Sequence, residues 1–264
     1  HRMERFQAAD GRSYFEGNKI KHLYQTAPNR IYALTRHGLA KIDTQTKDVV
    51  FIDNFDPESV IDIDSNGNIF AITGDNSLQF YNTSSDNMAV IEGFRLDKSD
   101  YCYRIVISDT GVLHIFSRKG TWRITLNQTG DTSKITNVEN LERKHLYVSQ
   151  PHCGNPVYTI TEDFKIVTFD PLSGSFTEIC SFTPPVGYDY SRIKGVAKAP
   201  KGYWINFWEQ LFFLPEGSTN LEPTEITYHS FTIVHDRFQP ILWIGTDSQG
   251  LIGWNYQEPT MKHL

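Results

Sequence analysis

The chain has 264 residues, a formal net charge of −6 and an aromatic content of 13%. An acidic chain releases no counterions on meeting a polyanion, so nucleic acid and anionic membranes are poor partners for it. No apolar run reaches the roughly 18 residues of a membrane span, so any membrane attachment is expected through flanking segments outside this chain.

The first predicted element is a strand at about residues 2–8, and a repeated pattern of strand, tight turn and strand follows it. Six copies of the pattern occur along the chain, at 30–43, 68–81, 112–117, 156–161, 202–207 and 241–255. They recur about every 44 residues, which is a period typical of β-propeller blades. The repeat therefore predicts tandem copies of one structural unit.

Two columns of side chains align the copies. One column holds a ring side chain in every copy: Tyr32, Phe70, His114, Tyr158, Trp204 and Trp243. Three residues later a second column holds a hydroxyl at Thr35, Thr73, Ser117, Thr161 and Thr246, with Phe207 as the exception. A ring followed by a small hydroxyl is the pattern expected for packing between blades and then a turn.

Each copy extends to four strands. In the second copy, strands are predicted at 59–64, 69–73, 78–81 and 88–91, with a hairpin turn at Asn66-Gly67 where glycine supplies a positive φ. No segment sustains a helical apolar period. The sequence predicts an all-β fold, a β-propeller of six four-stranded blades; a seven-bladed ring or part of a larger propeller array is the alternative.

The last copy has predicted strands at 231–234, 241–246 and 251–254, but no clear fourth strand. Pairing the N-terminal strand (about 2–8) with this last blade (about 229–258) would remove an exposed sheet edge. We therefore expect residues 1–264 to form a single propeller domain closed in this way.

The segment Leu-Trp-Ile-Gly-Thr-Asp-Ser-Gln-Gly-Leu at 242–251 resembles the two-component regulator propeller repeat, and Arg-Phe-Gln-Ala-Ala-Asp-Gly at 5–11 is similar to the short segment that often opens such propellers. The resemblance implies a periplasmic sensor domain of a hybrid two-component receptor, one that commonly senses oligosaccharides. Histidine kinase, response regulator and transmembrane segments would then lie outside this chain. Homodimerisation would occur through the full-length receptor.

Ligand-binding residues are expected in the turns that follow the second strand of each blade, where propellers carry loops on one face. The predicted ligand-binding residues are Arg36, His37, Arg118, Lys119, Trp122, Trp208 and Glu209. Arginine suits bidentate contact with a carboxylate or sulfate, and an aromatic ring at position 208 suits stacking on a sugar. The predicted ligand is an oligosaccharide or another small polar molecule.

We expect no catalytic residues, no metal ligands and no cofactor, because hydrolase, metalloprotease, nucleotide-binding and EF-hand motifs are absent from the sequence. The cysteines Cys102, Cys153 and Cys180 form no Cys-x-x-Cys pair, and the segment 62–68 is a hairpin turn rather than a calcium loop. Two other functions stay open: a non-catalytic scaffold for protein–protein interaction, and a propeller lyase using histidine and tyrosine as base and acid.

Overall fold

The computed structural model describes residues 20–27, 29–35, 38–43, 45–52, 55–130, 132–141, 144–149, 156–188, 192–236, 240–246, 251–257 and 260–263. Within these ranges the chain forms 24 strands and no α-helix. This described part accordingly has no helix with the length and hydropathy needed to cross a bilayer. The chain divides into two compact units, His1–Leu141 and Glu142–Leu264.

The first unit contains three four-stranded sheets, here called blades 1, 2 and 3. Blade 1 consists of β1 (Ile20–Ala27), β2 (Arg30–Thr35), β3 (Gly38–Asp43) and β4 (Val49–Ile52). Blade 2 consists of β5 (Val60–Ile63), β6 (Ile69–Ile72), β7 (Ser77–Asn82) and β8 (Asn87–Arg95). Blade 3 consists of β9 (Cys102–Ile107), β10 (Val112–Ser117), β11 (Thr121–Thr129) and β12 (Thr132–Asn140).

The second unit contains blades 4, 5 and 6. Blade 4 consists of β13 (His145–Val148), β14 (Val157–Thr161), β15 (Lys165–Asp170) and β16 (Ser175–Ser181). Blade 5 consists of β17 (Ile193–Ala199), β18 (Gly202–Phe207), β19 (Gln210–Pro215) and the two-residue β20 (Glu222–Pro223). Blade 6 consists of β21 (Ser230–His235), β22 (Ile241–Thr246), β23 (Leu251–Asn255) and β24 (Thr260–His263).

In every sheet, strands that follow one another in sequence pair antiparallel, so each sheet is a simple meander. A tandem series of such sheets is the architecture of a β-propeller. The predicted all-β fold class, with six four-stranded blades, is confirmed for the described residues.

The second strand of each blade carries the core, as the ring column predicts. Tyr32, Phe70 and His114 are fully buried on β2, β6 and β10, and Trp204 on β18 is nearly so. Burial of each large apolar side chain contributes about 1.5–3 kcal/mol to the free energy of unfolding. The ring column therefore marks buried positions in four blades, whereas Tyr158 on β14 and Trp243 on β22 are only partly buried.

Hydroxyls of the second column form hydrogen bonds across the turn that follows the second strand. Thr35 Oγ1 donates to the Gly38 carbonyl at 2.9 Å, and Ser117 Oγ donates to the Gly120 carbonyl at 3.0 Å. The exception, Phe207, is fully buried and packs against the rings of Tyr188 and Phe212. Blade 5 thus replaces a polar tie at this position with an apolar one.

Blade 6 has a fourth strand of its own. β24 pairs antiparallel with β23, with Met261 opposite Trp254. The expectation that the last copy lacks a fourth strand is therefore wrong. The strand gave no signal in the sequence because Thr-Met-Lys-His at 260–263 has too few apolar residues. The predicted N-terminal strand at about 2–8 lies outside the described residues, and its pairing with the last blade stays a prediction.

Candidate functional site

Blade 3 carries the predicted residues Arg118 and Lys119 in the turn between β10 and β11. An Arg118 guanidinium nitrogen donates to the Ser99 carbonyl at 3.2 Å. Lys119 Nζ donates to Ser99 Oγ at 2.6 Å and forms an ion pair with Asp97 at 3.2 Å. Ser99 and Asp97 belong to the connection between blades 2 and 3. Both cations therefore hold that connection, although their side chains are exposed.

Asp100 lies beneath this turn and is buried. Its carboxylate accepts hydrogen bonds from Ser117 Oγ at 2.8 Å, from the Lys119 amide at 3.1 Å and from the Tyr101 amide at 2.8 Å. Nearby, hydrogen bonds from Ser99 and then from Lys119 lower the pKa of Asp97 to about 2. The turn in blade 3 is thus a network of internal bonds centred on two carboxylates.

Trp122 lies near the start of β11 and is half-buried. Its ring meets the Phe94 ring edge-on, with centroids 5.6 Å apart, and packs against the core cluster that contains Phe70 and Leu113. Among the residues that the structure describes, its Nε1 atom has no hydrogen-bond partner. These surroundings are those of a packing residue, and the predicted ligand contact of Trp122 stays a prediction.

Trp208 and Glu209 form the two-residue turn between β18 and β19. The Trp208 amide donates to the Arg192 carbonyl at 2.7 Å, and the Ser230 amide donates to the Trp208 carbonyl at 2.9 Å. Arg192 precedes β17, and Ser230 begins β21. Main-chain bonds therefore fix this turn between the chain entering blade 5 and the chain entering blade 6.

Around Trp208 the structure assembles an aromatic surface. The Phe231 ring stands nearly perpendicular to the indole at 84°, with centroids 4.7 Å apart, and Phe231 is 48% exposed. The His229 ring lies 5.7 Å from the indole, and Lys194 Nζ lies 5.7 Å from the indole centroid. We call these four residues, together with Arg192 and Glu209, the Trp208 patch.

Arg192 and Glu209 form an ion pair within the Trp208 patch. Arg192 Nη1 donates to Glu209 Oε2 at 3.0 Å, and each side chain is 45% exposed. Exposed ion pairs of this kind contribute little to stability, typically below about 1 kcal/mol. Because nearly half of each side chain is exposed, both charged groups are accessible from solvent.

The residues predicted from the sequence include Trp208 and Glu209 but not the other members of the Trp208 patch. Arg192 and Lys194 are two residues apart, as are His229 and Phe231. Residues two apart in an extended chain point to one face, which was an available signal. The register between blades 5 and 6, which brings His229 and Phe231 to Trp208, is not readable from a single copy of the repeat.

In the first unit, the acid Asp62 is buried between neighbouring blades. It lies on β5 and its Oδ2 atom accepts a hydrogen bond from the Ile107 amide of β9 at 2.9 Å. Burial raises the pKa of Asp62 to about 7, against the lowering effects of hydrogen bonds and of the Arg104 charge. Burial also raises the pKa of Tyr24, whose hydroxyl donates to the Ile61 carbonyl. The sequence places Asp62 in a predicted strand and its hairpin turn but gives no sign that the acid is buried against another blade.

Asp64 organises the predicted hairpin turn at 62–68. Its Oδ1 atom accepts hydrogen bonds from the Asn66 amide at 2.9 Å and the Asn68 amide at 2.8 Å. This is the turn chemistry that the sequence predicts. Within the described ranges, no group of three or more His, Cys, Asp or Glu side chains is placed so that it could hold a metal ion.

Three predicted or considered positions, Arg36, His37 and Cys153, lie outside the described residues, so the ligand contacts of Arg36 and His37 stay predictions. Cys102 is buried on β9, and burial raises the pKa of its thiol to about 12, so this thiol is protonated at neutral pH. Cys102 is therefore a packing residue.

No family model and no curated protein matches the sequence of this chain. Solved structures do match its fold. The extracellular domain assigned to the hybrid two-component system BT3049 from B. thetaiotaomicron superposes with a TM-score of 0.60 at 15% identity, covering 94% of this chain and 35% of that one. The extracellular domain assigned to the one-component system BT4673 from B. thetaiotaomicron matches with a TM-score of 0.60 at 12% identity, covering 94% and 35%.

A third match is Saccharomyces cerevisiae Sqt1, with a TM-score of 0.59 at 7% identity, covering 92% of this chain and 84% of that one. This chain thus spans about a third of the length of the two bacterial structures. At these identities the matches establish the fold, which proteins of different kinds share. They are consistent with the resemblance to two-component regulator propellers.

Proposed function

We propose that this chain is a non-catalytic, ligand-sensing propeller from the periplasmic region of a hybrid two-component receptor. The observation that carries the proposal is the fold match over 94% of the chain to two extracellular domains assigned to one-component and hybrid two-component systems. The repeat at 242–251 resembles the same class of protein. Kinase and transmembrane segments would lie in the rest of such a receptor, through which it would dimerise.

The ligand proposed for this sensor is an oligosaccharide that binds at the Trp208 patch. Aromatic rings with apolar faces suit the C–H groups of a sugar, and binding sites combine such rings with a few convergent polar groups. The half-buried indole and the nearly half-exposed Phe231 ring supply the apolar surface, while Arg192 and Glu209 supply accessible polar groups. Main-chain bonds on both sides of Trp208 hold the surface in place before any ligand arrives.

Thermal unfolding of the chain with a panel of oligosaccharides tests this proposal. Specific binding to the folded state must raise the unfolding temperature, and the rise must grow with the logarithm of the ligand concentration once this exceeds the dissociation constant. Trp208→Ala should weaken the binding of any stabilising sugar at least tenfold. Tyr101→Ala is the matched control, because Tyr101 is 63% exposed and stacks edge-on with Tyr103 in blade 3. Stabilisation by no sugar, or equal losses in both variants, would argue against the Trp208 patch as a sugar site.

A lyase is the second candidate function, and one observation favours it. His235 Nε2 and the Tyr256 hydroxyl are 2.8 Å apart. Burial lowers the pKa of His235 and raises the pKa of Tyr256, so the imidazole is neutral and the phenol protonated at neutral pH. Those are the states of a base and an acid. Formation of unsaturated sugar products that stops with His235→Ala would favour this function over sensing.

A further inference from the structure

We infer that the ligand of the Trp208 patch is an acidic oligosaccharide, one that carries a carboxylate or a sulfate close to the sugar face that meets the rings. The inference rests on the function proposed above and specifies its ligand. Three features of the patch carry it: its charge, the position of Lys194 and the remaining donors of Arg192.

The charge of the Trp208 patch is opposite to that of the whole chain. Arg192 and Lys194 contribute two positive charges and Glu209 contributes one negative charge, which leaves a net charge of +1, while the chain carries −6. Two cationic side chains beside the aromatic rings favour an anionic group on a bound molecule.

Lys194 holds its ammonium group beside the surface on which a sugar would stack. Its Nζ atom lies 5.7 Å from the centroid of the indole, within the range of a cation–π attraction. An acidic group attached to the stacked sugar ring would therefore lie within reach of an ammonium that the indole already positions. A neutral sugar would gain nothing from this charge.

Arg192 offers donors that its ion pair does not use. The hydrogen bond with Glu209 engages one of its nitrogen atoms, Nη1, whereas a guanidinium carries five N–H donors. The carbonyl of Arg192 accepts from the Trp208 amide at 2.7 Å, so the residue is fixed next to the ring at its main chain. A planar guanidinium with donors to spare suits a carboxylate or sulfate.

Another cation on the same strand provides an internal control. Lys198 lies four residues after Lys194 on β17, and its Nζ atom lies 4.3 Å from the centroid of the Tyr203 ring. It makes the same kind of contact as Lys194, but with a different aromatic ring, and it is exposed. Removing its charge changes the charge of the chain as much as removing that of Lys194 does.

The experiment is isothermal titration of the chain with matched pairs of oligosaccharides at low and high salt. Oligogalacturonides are compared with neutral galacto-oligosaccharides of equal length, and sulfated with unsulfated forms of one sugar. We expect the acidic member to bind at least tenfold more tightly at low salt, and this preference to shrink as salt screens the charges. Lys194→Met and Arg192→Gln should each reduce the preference at least threefold, whereas Lys198→Met should leave it unchanged.

Each other outcome overturns a defined part of the argument. Equal binding of neutral and acidic sugars would overturn the acidic ligand and leave the sensing function standing. Binding of neither would overturn both. An acidic preference that Lys198→Met reduces as much as Lys194→Met would indicate a general charge effect and overturn the assignment to the Trp208 patch. Circular dichroism of each variant establishes that it is folded, and Lys194→Gln replaces any Lys194 variant that is not.

Discussion

The turns after the second strand in blades 3 and 5 occupy the same place in the repeat, yet they differ in what they bind. In blade 3, Arg118 and Lys119 bond to Ser99 and Asp97 of the neighbouring connection. In blade 5, Glu209 forms an ion pair with Arg192 of the neighbouring connection, but the Trp208 ring meets partly exposed residues such as Phe231. Both turns are therefore tied to a connection, and only the second of the two adds an aromatic surface.

The residue before each turn explains the difference. Ser117 ends β10 and donates to the buried Asp100, which draws the turn into a polar network. Phe207 ends β18 and turns into the apolar core, where a hydroxyl has no counterpart. The position of a residue in the repeat therefore predicts its place in the blade. Its contacts depend on the residues of the neighbouring connection. Four predictions test this contrast.

Replacing Phe207 should cause the largest loss. Phe207→Ala leaves a cavity among Tyr188 and Phe212, and we expect the free energy of unfolding to fall by about 3–5 kcal/mol. Denaturant unfolding measures the change. Phe207→Leu is the control and should lose less than half as much, because it fills most of the volume. If Phe207→Ala lowers the free energy of unfolding by less than about 1 kcal/mol, the Phe207 ring does not stabilise the turn in place of the hydroxyl hydrogen bond of the other blades.

The buried acid of blade 2 should make stability depend on pH. Because the folded pKa of Asp62 is about 7, above its unfolded value near 4, folding favours the protonated acid. Its contribution is fully present below about pH 4 and is lost as the pH rises through 7, a change on the order of 2–4 kcal/mol. Unfolding of the protein and of Asp62→Asn across this range isolates the effect. Equal pH profiles for both would contradict the assignment.

Removing the buried carboxylate of blade 3 should have a smaller but clear effect. Asp100→Ala leaves the Ser117 hydroxyl and the amides of Lys119 and Tyr101 without their acceptor, at a cost of about 2–3 kcal/mol. The exposed Asp97 gives the matched control, since solvent screens its interactions and Asp97→Ala should lower the free energy of unfolding much less than Asp100→Ala does. Similar losses in the two variants would remove the distinction between the buried and the exposed carboxylate.

The smallest effect on stability is expected at Trp208. Its side chain is half-buried, so Trp208→Ala should lower the free energy of unfolding by about 1 kcal/mol, although it should abolish most sugar binding. Denaturant unfolding and titration of the same variant separate the two quantities. A loss as large as that of Phe207→Ala would identify Trp208 as a core residue. The turn side chains of blade 5 would then stabilise the fold, as those of blade 3 do.

The sequence allowed the blades to be predicted because the determinants of each blade recur. Tyr32, Phe70 and His114 align by register alone, and all three are buried as predicted. Trp208 follows from the same register. β24 was missed because its four residues carry a weak strand pattern.

The neighbours of Trp208 could not be predicted in the same way. Lys194 reaches the indole from β17, the first strand of the same blade, and Phe231 reaches it from β21 of the next blade. The distances between such residues depend on how far each connection shifts one blade against another, and this shift is not encoded in a periodic pattern. The burial of Asp62 has the same origin, since its partner Ile107 lies on another blade.

The short outer strand of blade 5 has a consequence for amide hydrogen exchange. β20 has two residues, opposite Phe212 and Phe213, and the following residues add two main-chain bonds to Leu211, whereas the outer strand of blade 3 has nine residues. Local opening needs less free energy where fewer main-chain bonds close an edge. Amides of β19 should therefore exchange with solvent faster than those of β11. A ligand that binds the turn before β19 would slow this exchange. The exchange rate of the β19 amides would therefore measure ligand binding at the Trp208 patch.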